Sequence, residues 1–337
     1  MALTLEDIPF ALKANDIVKH VINIDSRFRL PVPQCDDNEF TFYFNLLAPI
    51  RNVLRVRVTS IELANNYYIF STWRRNTTFG IKLGSAGAVN IITIPDGNYM
   101  VNDMLLALNT IITAILPTAE IVLSFSAVTG YFTFTGNQPF TVYTTTPDGL
   151  SWPQRVYDYG LGYNLGFSRG TFPSVATPTG NSTKHVVISN QKAHFAGDPY
   201  VFLKVNDLAC VRQTIGDTDF TALAKVIVAQ SKNYMNYDNM AGQNAKEVTF
   251  PCPVDLSRFK VQLLDPHGMP ISMGSSQVSF SLEILEVKNM SLYNTIRDAF
   301  TTEWVLKQGQ GGKGRGGRGW NGGLGEGRGD GHGGGSY

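Results

Sequence analysis

Apolar and polar side chains alternate with a period of two along most of residues 259–287, FKVQLLDPHGMPISMGSSQVSFSLEILEV. Phe259, Val261 and Leu263 alternate with Lys260 and Gln262, and Val278, Phe280, Leu282 and Ile284 alternate with Gln277, Ser279, Ser281 and Glu283. Successive side chains of a strand point to opposite faces, so each run has one buried and one wet face. Between them, Asp265-Pro266-His267-Gly268 supplies a proline with fixed φ and a glycine that accepts positive φ. The pattern predicts an antiparallel pair joined by a reversing turn.

The same period predicts a short strand over residues 21–29, stopped by Pro31 and Pro33, which cannot continue a central strand. It predicts separate strands at 40–44 and 54–58 on either side of Ala48-Pro49, with Arg55 and Arg57 pointing outward together. Strand patterning continues at 67–70, 79–83, 90–94, 140–143, 185–189, 200–205, 223–229 and 246–250. Residues 121–125 and 131–135 read as a hairpin turning at Thr129-Gly130. One segment changes period: over residues 99–116, Met104, Leu105, Leu108, Ile111, Ile112 and Ile115 recur at three and four, with Asn98 as N-cap and Pro117 as stop. The stretch 147–181 is rich in glycine, proline and aromatics and, with its Leu161-Gly162-Tyr163-Asn164-Leu165-Gly166-Phe167 run, reads as a packed loop.

Many short strands with turn signals between them and one internal helix predict an all-β protein, an antiparallel β-sandwich of jelly-roll type with one inserted helix at about 99–116. Residues 1–20 read as an N-terminal arm and 21–288 as the body, either one sandwich or two divided near 171–184. Leu292, Ile296, Ala299, Phe300 and Trp304 then recur at near-helical spacing, which predicts an amphipathic helical arm over about 289–308. In the tail, 309–337, sixteen of 29 residues are glycine, so no core can form and a flexible Gly/Arg-rich segment is expected.

Composition narrows the functional classes. A formal net charge of +1 over 337 residues gives no global field toward nucleic acid or an anionic membrane. The tail therefore reads either as a flexible solvated segment or as an arm that touches nucleic acid through Lys313, Arg315, Arg318, Trp320 and Arg328, and contact elsewhere is not expected. Cys35, Cys210 and Cys252 are odd in number and match no ligand spacing, so they read as reduced core thiols in a chain kept in the cell interior and not secreted. The N-terminal residues lack the pattern of a secretory signal, and no apolar run is long enough to span a bilayer. The five histidines form no HExxH pair, and no P-loop, GxGxxG or GxSxG elbow occurs, so neither metal, cofactor nor catalytic residues are expected. A nucleophile set of His185, His194, Asp198 and Cys210 has no motif behind it. Arg74 and Arg75 beside Trp73 read either as a stacking platform for a ligand or, more ordinarily, as a wet loop.

The ordered pieces VINIDSRFR, FNLLAPIRNVLRVRVTSIELANNYYIFS, NTTFGI, ITIPDGNYMVNDMLLALN, LGYNLGF, VFLKVND and LLDPHGMPISMGSSQVSFSLEIL resemble a family of virion proteins of nucleocytoplasmic large DNA viruses, the minor capsid or penton-type components. The resemblance runs from about Val21 to Val287 and lies in the order of the pieces. It implies a jelly-roll protein of the virion capsid, assembled in the host cell interior and not an enzyme. Its implied partners are other capsid proteins, the major capsid protein and neighbouring minor ones, and further copies of itself. The Gly-rich tail is not a feature of that resemblance, and the chain lacks the two comparable barrels of a major capsid protein.

On this reading Asp25, Arg27 and Arg29 form an interface latch, against the alternative of an ordinary turn with a surface ion pair. Leu292, Ile296, Phe300 and Trp304 form the apolar face of an arm that docks on a neighbour. The rival from another class is a glycan- or host-receptor-binding β-sandwich, suggested by Tyr67-Tyr68, Trp73 and the aromatics of 152–163.

Overall fold

The computed structural model describes residues 16–29, 40–144, 159–179, 182–216, 218–238, 246–272 and 277–299. Residues 17–288 form one compact unit. It starts with β1 (Ile17–Asp25), a single 3-10 turn at Ser26–Phe28, and the long strand β2 (Phe42–Ala64). Next come β3 (Thr78–Leu83), β4 (Val89–Thr93), helix α1 (Val101–Ile115), the hairpin β5 (Val122–Ser126) and β6 (Tyr131–Gly136), then β7 (Phe140–Tyr143) and the one-turn helix α2 (Leu161–Asn164). β8 (Thr171–Pro173), β9 (Val175–Thr179) and β10 (Ser182–Ile188) complete that stretch. β11 (Tyr200–Val205), β12 (Val211–Ile215), β13 (Thr218–Ala222), β14 (Ala224–Ile227), β15 (Met235–Asp238), β16 (Glu247–Leu264) and β17 (Val278–Val287) follow.

All strand pairs are antiparallel, so the protein is mostly β, with curled sheets and few helices. The largest sheet has the order β1-β17-β2-β16-β11-β14, with β15 beside the far end of β2. Two four-stranded sheets, β5-β6-β10-β9 and β4-β3-β7-β8, and the ribbon β12-β13 make up the rest.

Among the described residues two large cores result, one nested in the other along the chain, beside a small cluster of Phe202, Ala222 and Leu264. Alternating residues of the large sheet, among them Ile24, Phe42, Val56, Val58, Val261, Phe280 and Leu282, pack into the first core. The second is built from residues 69–187, with Phe79, Phe132, Phe134, Phe140 and Phe167 packed against Met104, Leu108 and Ile112 of α1. The residues that build the second core, Ile69 to Val187, thus belong to an insert between β2 and β11 of a body made by the remaining strands. The stretch 171–184 carries strands of the insert's sheets.

Several expectations change. β16 and β17 do not pair with each other; β2 lies between them and is antiparallel to both. The Asp265–Gly268 turn forms, with Gly268 at φ 78° and its N–H bonded to Asp265 O at 3.0 Å, but the chain beyond it crosses to the other side of β2. Period two identifies faces and is silent about neighbours. Residues 42–44 and 54–58 belong to one strand, because Pro49 sits where β17, which covers β2 only from Val53 to Leu63, leaves that flank open and where the register with β16 shifts.

Residues 246–250 likewise join 259–263 in one strand, through an irregularity between Thr249 opposite Arg55 and Val254 opposite Val53. Pro251, Cys252 and Pro253 loop out there. Asn52, at φ 52°, gives its freed N–H to Asp255 Oδ1 at 3.0 Å. Residues 67–70 are not a strand; only an isolated bridge joins Phe70 to Gly97.

Helix α1 begins after Met100, whose N–H donates to the Asp103 carboxylate at 3.2 Å. Asn98 instead accepts the Ile69 N–H at 2.7 Å. Asn109 of α1 donates to Leu123 O at 3.1 Å and accepts the Leu123 N–H at 2.7 Å, so the helix occupies the open edge of β5.

Outside this unit, residues 290–299 form helix α3. Asn289 Oδ1 accepts the Leu292 N–H at 3.0 Å and its amide donates to Asp16 at 3.3 Å. Tyr293 is buried, and Leu292 and Ile296 are half-buried. Phe300 and Trp304, the tail residues Lys313, Arg315, Arg318, Trp320 and Arg328, and the first fifteen residues of the N-terminal arm lie outside the described residues.

Candidate functional site

The residues that join insert to body surround Arg74. It lies in the chain beyond β2, and its side chain is 5% exposed. Nε and an Nη donate to Asp265 Oδ2 at 3.2 and 2.9 Å; that Nη also donates to Asp198 Oδ2 at 2.9 Å, and the other donates to Ile69 O at 3.1 Å. Asp265, fully buried, uses its second oxygen to accept the N–H groups of His267 and Met269 at 2.8 and 2.9 Å. The carboxylate therefore organises the turn at the end of β16 and binds the insert together. A planar fork with five donors suits this task, since a buried carboxylate is tolerated only when it is paired and hydrogen-bonded.

Neighbouring groups complete the lock. Asn76 donates to Ile69 O at 2.7 Å and accepts the Ser71 N–H at 2.8 Å, and the Tyr159 hydroxyl donates to Arg74 O at 3.0 Å. Burial pushes the Asp198 carboxyl above the usual range against the pull of Arg74. Burial works against the Arg74 charge, yet Asp198, Tyr159 and Asp265 together hold its pKa above the ordinary value. Lys232 donates to Tyr67 O at 3.1 Å with its ammonium 3.7 Å from the Tyr67 ring centroid, and burial lowers it to about 8.

Arg74 lies between two clefts. One, of about 330 Å³, is lined by Tyr67, Tyr68, Ser71, Trp73, Asp96 and Ser272 among others. The other, of about 250 Å³, holds Tyr159, Tyr163, His194, Asp198 and His267. Of the nucleophile set considered from sequence, only His194 and Asp198 meet there. His185 stands in β10 opposite Gly136, and Cys210 donates to Glu247 O at 2.9 Å. Cys210 and Cys252 are exposed, not core thiols, because they fall at a strand approach and in the Pro251-Pro253 irregularity; Cys35 is outside the described residues. Arg74 is not in a wet loop either, although its neighbour Arg75 is exposed.

The other sequence-predicted residues lie elsewhere. Asp25 is buried, caps the 3-10 turn by accepting the Arg27 N–H at 2.9 Å, and takes the exposed Arg27 guanidinium at 2.6 to 3.1 Å. The Arg27 side-chain hydrogen bond holds the Asp25 carboxyl below its ordinary range. Arg29 follows the turn, half-buried. On the outer face of the sheet, Arg55 pairs with Glu283 at 3.5 Å and Glu247 at 3.8 Å, and Lys19 with Glu283 at 3.7 Å.

Among the described residues no three of His, Cys, Asp and Glu are placed to hold a metal ion, and no helix is long and apolar enough to cross a membrane. No protein-family model matches the chain, and no curated protein matches it.

Proposed function

We propose that this chain is a structural virion protein, a minor capsid or penton-type component that joins an icosahedral shell through its β body and terminal arms. The observation that carries the proposal is how its buried ionic chemistry is used. Arg74, Asp198 and Asp265 are spent on holding an inserted β module to a β body whose central strands are 23 and 18 residues long. Such a particle is stiff, and a shell subunit needs stiffness together with surfaces that meet neighbours. The ordered sequence pieces from Val21 to Val287 that resemble large-DNA-virus virion proteins support the same reading. In it, the curled seven-stranded sheet belongs to a jelly roll, the partners are the major capsid protein, other minor capsid proteins and further copies of this chain, and α3 with the segment beyond it docks on a neighbour.

The test compares the full chain with a version ended at Lys288, measuring solution mass and incorporation into particles. The truncated protein is expected to keep the melting temperature of the body yet stay out of particles. Normal incorporation of the truncated protein would remove the arm from the proposal.

A further inference from the structure

We infer that the 330 Å³ cleft on the Tyr67 side of Arg74 is a binding site for a neutral pyranose sugar. Its size falls within the range of ligand sites, about 300 to 1,000 Å³. Tyr68 and Trp73 line it and are 53% and 49% exposed, large aromatic surface left in water at one place. Trp73 is held by stacking on Phe40 at 4.4 Å between ring centroids, so the indole is positioned before any ligand arrives.

The polar groups beside these rings have the chemistry that hydroxyls need. Asp96 is fixed by the Thr72 N–H and hydroxyl, both at 2.7 Å, and by the Ser71 hydroxyl at 3.2 Å. A carboxylate offers about four lone-pair sites, so acceptor capacity remains for a further hydroxyl. Among the described residues, no hydrogen bond occupies the Tyr68 hydroxyl or the Trp73 indole N–H.

Tyr67, also in the cleft wall, is 2% exposed, and its hydroxyl is a buried polar group with no hydrogen-bond partner. Native structures keep few such groups, and each calls for an explanation. Aromatic faces that cover the C–H face of a pyranose, with the Asp96 carboxylate, the Tyr68 phenol and the Trp73 indole N–H reading its hydroxyls, fit a neutral sugar, and Asp96 repels anions.

The inference is independent of the capsid reading. It is tested by saturation-transfer NMR and titration of the full chain with methyl glucoside, methyl galactoside, methyl mannoside and N-acetylglucosamine. At least one sugar is expected to bind. Tyr68→Ala and Asp96→Asn are expected to weaken binding about tenfold each, the worth of one good contact. Absence of transfer to the wild-type protein from all four sugars, or undiminished binding by both variants, would overturn it.

Discussion

Arg74 and Asp265 stand 191 residues apart in sequence and share a hydrogen bond of 2.9 Å inside the protein. One belongs to the chain entering the insert and the other to the turn that ends β16, so this contact fastens two separate cores. Removing one partner of a buried pair strands the other charge, which costs about 3 to 5 kcal/mol. Arg74→Met is expected to destabilise by that order, and Arg74→Lys to recover only part, since an ammonium lacks the guanidinium fork. In denaturant unfolding the double variant Arg74→Met/Asp265→Asn should lose less than the two single losses combined. Strict additivity would mean that the two residues do not act together.

Lys232 sets a pH dependence. Its folded-state pKa of about 8 lies below the unfolded value of 10.5, chiefly through burial. Between those values the unfolded chain binds more protons than the native one, so stability contributed at this residue rises as pH increases through that window. Lys232→Met should abolish that rise in a series of melting temperatures.

Gly268 is held at φ 78°, and an added Cβ would lie 2.8 Å from a ring carbon of Phe220. Gly268→Ala therefore combines left-handed strain with a contact on an aromatic ring, and a loss of about 1 to 3 kcal/mol is expected in thermal unfolding. The adjacent Asp265 carboxylate depends on this turn, so the variant should be partly epistatic with Arg74→Met.

Asn109 is the helix's connection to the edge of β5. Asn109→Ala leaves the Leu123 N–H and C=O without their partners, at a cost of about 1 to 3 kcal/mol. Hydrogen exchange should quicken first at Leu123 and along β5, while β1 and β17 keep their protection.

What the sequence made legible follows from local chemistry. The faces of Phe259–Leu263 and Val278–Ile284, the Thr129-Gly130 hairpin and the Met104, Leu108, Ile112 stripe are fixed by neighbours in the chain, and all appear in the structure. Partners and continuity are not local. Nothing near Asp265 signals that β2 slips between the strands on either side of its turn, and Pro49 ends a strand or sits harmlessly in one according to whether a neighbour is present on that flank. Arg74 was visible only as a charge beside Trp73. Its two acidic partners come from positions 198 and 265, and a buried ion pair between distant segments leaves no spacing to read.

The assembly reading is tested most directly by virus particles purified from the source of this chain, examined by mass spectrometry and by cryo-electron microscopy of the same sample. The chain should be present in fixed proportion to the major capsid protein, with the curled sheet of β1, β17, β2, β16, β11 and β14 fitting density in the shell. Complete particles that contain none of it would contradict a structural role.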